Sequence, residues 1–220
     1  MDWNGKVINF LGDSITQGVG ASSKETNYVS QTKEILNLAA ANNYGISATR
    51  IAPRKTPCDA KIDSLWFATR VPEMDPNADG VIVFGGTNDF GHGDAPLGSI
   101  ADEGEDTFYG AMKNLCVKLI EKYPGKPIVI LTPLHRSSED NILGDGGHKM
   151  PLGQPLSAFA QAIREVAAYY SLPVLDLWSV SGLQPKIPVI KEKFMPDGLH
   201  TSDAGHRLVA ERVAAFLKAL

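Results

Sequence analysis

Val7-Ile8-Asn9-Phe10-Leu11-Gly12-Asp13-Ser14-Ile15-Thr16-Gln17-Gly18 is an apolar run broken by a glycine, an acid and a hydroxyl. A short apolar run with β-branched residues, ended by Gly and Asp, reads as a buried strand and its exit turn. The group presented at that turn is the Ser14 hydroxyl. Working outward, Gly80-Val81-Ile82-Val83-Phe84 is a second buried strand and ends in Gly85-Gly86-Thr87-Asn88-Asp89. Pro127-Ile128-Val129-Ile130-Leu131 is a third and ends in Thr132-Pro133. Weaker strand patterns cover 39–46 and 173–177. Helical patterns cover 28–38, 108–123, 156–170 and 202–220, with a helical patch within 60–69. The Gly- and acid-bearing stretches 90–106 and 134–154 read as loops.

Strands alternating with helices imply parallel pairing through right-handed crossovers. Near-continuous apolar strands imply a sheet covered on both faces. The expected architecture is an α/β fold, a three-layer α/β/α sandwich of about five parallel strands. In such sheets ligands bind beyond the carboxyl ends of the strands. Ser14, Asn88, the loop from His135, and the segment leading to Asp197 and His200 all follow a strand.

The 220 residues suit one domain, 1–220, with a sizeable core. A net charge of −4 and a pI near 5.7 argue against nucleic-acid or anionic-membrane partners, which want a basic field. Cys58 and Cys116 give no disulfide framework and read as small apolar residues. No apolar stretch is long enough to span a bilayer. The start, Met1-Asp2-Trp3-Asn4-Gly5-Lys6, is not a secretory signal, so a cytoplasmic protein follows most simply. A secreted chain shorn of its leader would read the same.

A serine hydroxyl is a weak nucleophile until a base takes its proton, and the base needs a third group to fix its tautomer. Asp197-Gly198-Leu199-His200 supplies both from one turn, just before a helix start signalled by Thr201-Ser202-Asp203. Three residues of separation let the carboxylate reach one imidazole nitrogen while the other points outward. The tetrahedral intermediate also needs donors for its oxyanion. Asn88 offers a side-chain amide, and the two glycines before it let the backbone approach a ligand closely. Each group also has a plainer reading. His200 reads as a histidine at a helix start, and Asp197 as a turn residue before Gly198. Asn88, Asp89 and Asp13 read as turn or loop caps.

The three motifs together resemble the GDSL, or SGNH, hydrolase superfamily: Gly12-Asp13-Ser14-Ile15-Thr16, Gly86-Thr87-Asn88-Asp89, and Asp197-Gly198-Leu199-His200, in that order. The resemblance covers essentially the whole chain and implies a flavodoxin-like topology. It also implies Ser14 as nucleophile, His200 as base, Asp197 as its orienter, and Asn88 and the Ser14 N–H as oxyanion donors. The family's second block usually ends in a glycine whose N–H completes that hole. Aligning Gly45-Ile46-Ser47-Ala48 with the block puts Ala48 there, a role open to it if its φ is negative, with Gly45 as the fallback.

The family contains lipid esterases, thioesterases and enzymes that remove acetyl groups from sugars. The polar loops 90–106 and 134–154 suit a polar ester better than a long acyl chain, which wants an apolar groove. The expected substrate is therefore a small-molecule or carbohydrate ester with a short acyl group, acetyl above all; lipid esters and thioesters are the alternative. No metal or cofactor is expected. Trp66, Trp178 and Phe194 read as core or rim packing rather than sugar platforms, and His92, His135 and His148 as solvated loop histidines. Two rivals come from other classes. One is a two-metal phosphoesterase using Asp13, Asn88, Asp89, Asp197 and His200; the other is a flavodoxin-like binding module whose 14–18 loop cradles a phosphate.

Overall fold

In the computed structural model, which describes residues 1–57, 59–145 and 153–220, the elements run in the following order. They are β1 (Val7–Gly12), α1 (Ser14–Gln17), α2 (Tyr28–Leu36), β2 (Ala40–Gly45), α3 (Ala60–Asp63) and α4 (Phe67–Arg70), which runs into a 3-10 turn, Val71–Glu73. Then come β3 (Gly80–Phe84), α5 (Thr87–His92), α6 (Phe108–Lys122), β4 (Ile128–Leu131) and α7 (Leu156–Tyr169). The last are β5 (Val174–Leu175), α8 (Leu177–Val180), α9 (Pro188–Phe194) and α10 (Asp203–Ala219). Cys58 and His148 lie outside the described residues.

The five strands are all parallel, in the order β2-β1-β3-β4-β5. That is the flavodoxin-like order. Alternate side chains of the three inner strands enter opposite cores. Ile8, Phe10, Ile82, Phe84, Val129 and Leu131 meet α2, α8 and α10 through Tyr28, Leu177 and Val209. Leu11, Val81, Val83, Ile128 and Ile130 meet α4, α6 and α7 through Phe67, Met112 and Phe159. Each fully buried side chain of this size contributes roughly 1.5–3 kcal/mol. Cys116 lies in the second core, where burial pushes its thiol up to about 12. Asn9 interrupts the apolar run of β1 yet is buried, because its amide is satisfied. It donates to Asp75 O (2.8 Å) and Tyr123 Oη (2.9 Å) and accepts from Asn42 Nδ2 on β2 (2.9 Å).

Several elements differ from expectation. The stretch 90–106 begins inside α5, because Gly86 lets the chain turn straight into a helix. The strand expected over 173–177 is only Val174–Leu175, since Leu177 starts α8. The patch within 60–69 is two short helices, and α9 stands where no helix was expected, opened by Pro188 in its first turn.

From β1 the chain crosses to β2 on one side, then returns past β1 to β3. This reversal opens a crevice beyond the carboxyl ends of β1 and β3. Beside it, His206 of α10 pins α2 and the loop after α1. Tyr28 N donates to Nδ1 (3.3 Å), and Nε2 donates to Val19 O (3.3 Å). Burial holds the His206 imidazole down at about 4, against the opposing pull of the Val19 carbonyl and Asp203. Between about 4 and 6.5 the unfolded chain binds a proton here that the folded chain refuses, so stability is lost as pH falls through that window. Chemical denaturation at pH 7, 5.5 and 4.5 checks this. Within the window this one group contributes a slope of up to about 1.4 kcal/mol per pH unit, which His206→Gln abolishes. Equal slopes in the two proteins would rule it out.

Candidate active site

Asp13 caps α1, its Oδ1 accepting from Ile15 N (3.0 Å), and this places Ser14 at the head of that short helix, 6% exposed. His200 arrives from the far end of the chain on a self-supported turn. Asp197 Oδ1 accepts from Leu199 N (2.8 Å) and His200 N (2.7 Å), and its Oδ2 faces His200 Nδ1 at 2.7 Å. Gly198 is required there. Its φ is +79°, and a Cβ would lie 2.1 Å from Ser137 Oγ. Ser137 N donates to Gly198 O (2.8 Å), so the loop after β4 seats the turn. His200 Nε2 lies 2.9 Å from Ser14 Oγ. With Nδ1–H given to Asp197, the Nε2 lone pair faces the hydroxyl, a tautomer assigned from these partners. Burial works to raise the Asp197 carboxyl. The His200 ring and the two backbone N–H groups outweigh it and hold the carboxyl below its ordinary value. The three side chains can therefore pass a proton from Ser14 to His200 while Asp197 stabilises the resulting imidazolium.

Beside Ser14 lies the chain leaving β2. Gly45 packs so closely on α1 that a Cβ would lie 2.1 Å from Gln17 N. Within 45–49 the N–H groups of Gly45, Ile46, Ser47 and Thr49 donate to Asn43 Oδ1, Gly12 O, Gln17 Oε1 and Ile46 O. That occupies the fallback, Gly45. The N–H groups of Ala48 and Ser14 meet no acceptor among the described residues. The negative φ on which the role of Ala48 was made to depend is not found: φ is +64°, but a backbone N–H donates at either sign of φ, so the condition was wrong and the N–H remains available. Ala48 adopts the left-handed backbone that a glycine would take at no cost, at an expense of about 1–2 kcal/mol. Asn88 donates from Nδ2 to Thr49 O (3.0 Å) and accepts at Oδ1 from His92 Nε2 (3.2 Å).

Asp13 and Asp89 both cap backbone. Asp89 does so across the fold, accepting from Ile51 N (3.0 Å) and Ala52 N (2.8 Å). Burial raises Asp13 to about 7 and Asp89 to about 6, in each case against backbone hydrogen bonds. Among the described residues no group of three His, Cys, Asp or Glu is placed to hold a metal ion. His92 and His135 are not solvated loop histidines. His92 ends α5, and burial with the charge of Arg50 lowers it to about 4. His135 packs at a tilt against Trp178 (3.9 Å between centroids, planes 39° apart) and bonds Glu139 (2.7 Å). Trp66, Trp178 and Phe194 are half-buried against the two cores, as packing residues are.

The sequence did not single out Arg70, and it read His92 as a solvated loop histidine rather than a partner of Asn88. Arg70 is buried beneath the site and donates to Tyr44 O (2.5 Å), Gly12 O (3.1 Å) and Thr49 Oγ1 (3.0 Å), joining the exits of β1 and β2. Nothing in Trp66-Phe67-Ala68-Thr69-Arg70 signals this. His92 was findable, because four residues separate it from Asn88, one helical turn if 87–92 is helical. A cavity of about 240 Å³ opens beside Ala48, lined by Arg50, Arg54, Asp59, Ile62, Asp63 and His92.

The parallel sheet holds Ser14, His200 and Asp197 in one hydrogen-bonded row, and the comparisons place the chain among ester hydrolases. A sequence model of the GDSL-like lipase/acylhydrolase family matches residues 10–208, and the chain belongs to that family of ester hydrolases. A solved protein from Lactobacillus plantarum is 30% identical over 98% of each chain, with a TM-score of 0.83. An M. smegmatis aryl esterase is 19% identical over 98% of this chain and 99% of its own, TM-score 0.68. A carbohydrate acetylesterase family member from Sinorhizobium meliloti is 18% identical over 97% and 98%, TM-score 0.64. At such identities the last two show the shared fold. No curated protein matches the chain. No helix of the described residues is long and apolar enough to cross a membrane.

Asp197→Asn tests the proton relay. The amide keeps an oxygen for the two backbone N–H groups but turns Nδ2–H toward His200. The imidazole then carries its proton on Nε2, facing Ser14, and cannot act as base. Ester hydrolysis should fall by about 10³-fold or more while the melting temperature changes little. A rate within tenfold of the parent would dismiss Asp197 as orienter.

Proposed function

We propose that the protein is a serine esterase that hydrolyses short-chain acyl esters, acetyl esters above all, through an acyl-enzyme on Ser14. The observation that carries this is the relay from Ser14 Oγ to His200 Nε2 (2.9 Å) and from His200 Nδ1 to Asp197 Oδ2 (2.7 Å). His200 takes the hydroxyl proton as Ser14 attacks the ester carbonyl. The Ser14 N–H, the Ala48 N–H and the second N–H of Asn88 Nδ2 receive the oxyanion. His200 then returns the proton to the departing alcohol, and water repeats the sequence to free the acid and Ser14. Strain held at Ala48 is in keeping with a site that aims one N–H at a fixed point.

The cavity beside Ala48, next to a proposed oxyanion donor, is the space this reading gives the acyl group. Arginines and aspartates stand among its walls, which suits a compact polar ester better than a long apolar chain. The name of the Sinorhizobium neighbour is the reason acetylated sugars belong among the substrates to try.

Rates across nitrophenyl esters of two to twelve carbons, with acetyl release from acetylated sugars alongside, test the substrate class. kcat/KM should be highest at the shortest chains and fall as the acyl group lengthens. A maximum at eight carbons or more would replace this reading with a lipid esterase. Ser14→Ala should lower turnover of the acetate by a factor on the order of 10³ or more. Near-normal turnover would refute the nucleophile.

A further inference from the structure

Arg50, His92 and Asn88 form a chain of hydrogen-bonding groups that ends on the Thr49 carbonyl. Arg50 Nη1 lies 3.5 Å from His92 Nδ1, His92 Nε2 lies 3.2 Å from Asn88 Oδ1, and Asn88 Nδ2 donates to Thr49 O at 3.0 Å. The two ends of this chain cannot reverse their roles, since a guanidinium only donates and a backbone carbonyl only accepts. Everything between is therefore set. His92 keeps its Nδ1 lone pair toward Arg50 and its Nε2–H toward Asn88. Asn88 shows oxygen to His92 and nitrogen to Thr49, with one N–H left over.

A flipped Asn88 amide would set N–H against N–H at His92 and oxygen against oxygen at Thr49. We propose that His92 is a positioning residue for Asn88, locking the amide so that its spare N–H points at the reacting carbonyl. This rests on the reading of Asn88 as an oxyanion donor. The location agrees: both residues are on one face of α5, a helix turn apart, and Asn88 is 5% exposed. A donor on Oδ1 also polarises the amide, which makes the spare N–H a better partner for developing negative charge. His92 thereby affects the transition state more than the bound ester.

The test uses nitrophenyl acetate as substrate and phenylboronic acid as a mimic of the tetrahedral adduct. His92→Phe removes the donor, with His92→Ala as a second donor-free variant where the phenyl ring impairs folding. His92→Gln can supply an amide N–H in its place. The donor-free variants should lose about five- to tenfold in kcat with KM within twofold, and boronate binding should weaken in step. His92→Gln should recover most of the loss. Asn88→Ala should lose about 10²-fold, and adding His92→Phe to it should cost nothing more, because His92 acts through Asn88. A loss confined to KM, no rescue by Gln, or a further loss on the Asn88→Ala background would each overturn the proposal. Undiminished rates in Asn88→Ala would instead overturn the reading of Asn88 itself.

Discussion

The exits of β1 and β2 meet at backbone contact, and the active site is arranged around that meeting. Gly45 lies so close to the α1 backbone that no side chain fits between them. Asn43 donates to Thr16 O and Gln17 accepts from Ser47 N, stitching the two segments together (2.7 and 2.6 Å). Beneath them Arg70 spreads its guanidinium over Tyr44 O, Gly12 O and Thr49 Oγ1. Burying a guanidinium is expensive unless its donors are satisfied. Burial lowers Arg70 to about 10, and the nearby Asp13 pulls the other way. The result is that the strand leading to Ser14 and the Ala48 loop cannot move apart independently.

The topology then decides what joins this pair. Chain reversal between β1 and β3 puts Asn88 across the crevice from Ser14, and Asp89 clamps the Ile51–Ala52 backbone from the same helix. His200 comes differently, on a four-residue turn that holds its own geometry and is seated by Ser137. None of these hydrogen bonds is worth more than about 1–3 kcal/mol. Their effect is cumulative and geometric: donors and acceptors with opposite needs face each other at fixed positions, so that little reorganisation is needed when charge develops.

The inner strands were legible because both faces of a parallel sheet are buried, and their apolar runs advertise it. Tyr28, Phe108 and Asp203 begin helices behind Asn27, Thr107 and Ser202, whose side chains accept from the first turn, and those starts were close to readable. Short elements were not. In 87–92 a glycine, an acid and a histidine look like loop composition, yet Gly86 in a left-handed conformation starts a helix there. The same error hid His92, since only a helix brings it beside Asn88. At 173–177 an apolar run was split between two residues of strand and a helix, which period alone cannot separate. His135 looked solvated because its partner Trp178 is more than forty positions away in the chain.

Residue order was enough for the layered α/β architecture, for the family, and for the identity of Ser14, Asp197, His200 and Asn88 as candidates. Each rests on local pattern: apolar periodicity, turn residues, and a carboxylate three positions before an imidazole. Only the folded chain decided that Ser14 and His200 are within hydrogen-bonding distance, that Ala48 and not Gly45 has its N–H free, that Arg70 joins the exits of β1 and β2, and that His92 bonds Asn88. Those outcomes depend on contacts between segments far apart in the chain. Local propensity carries no information about them, because they exist only where the crossovers bring the carboxyl ends of the strands together.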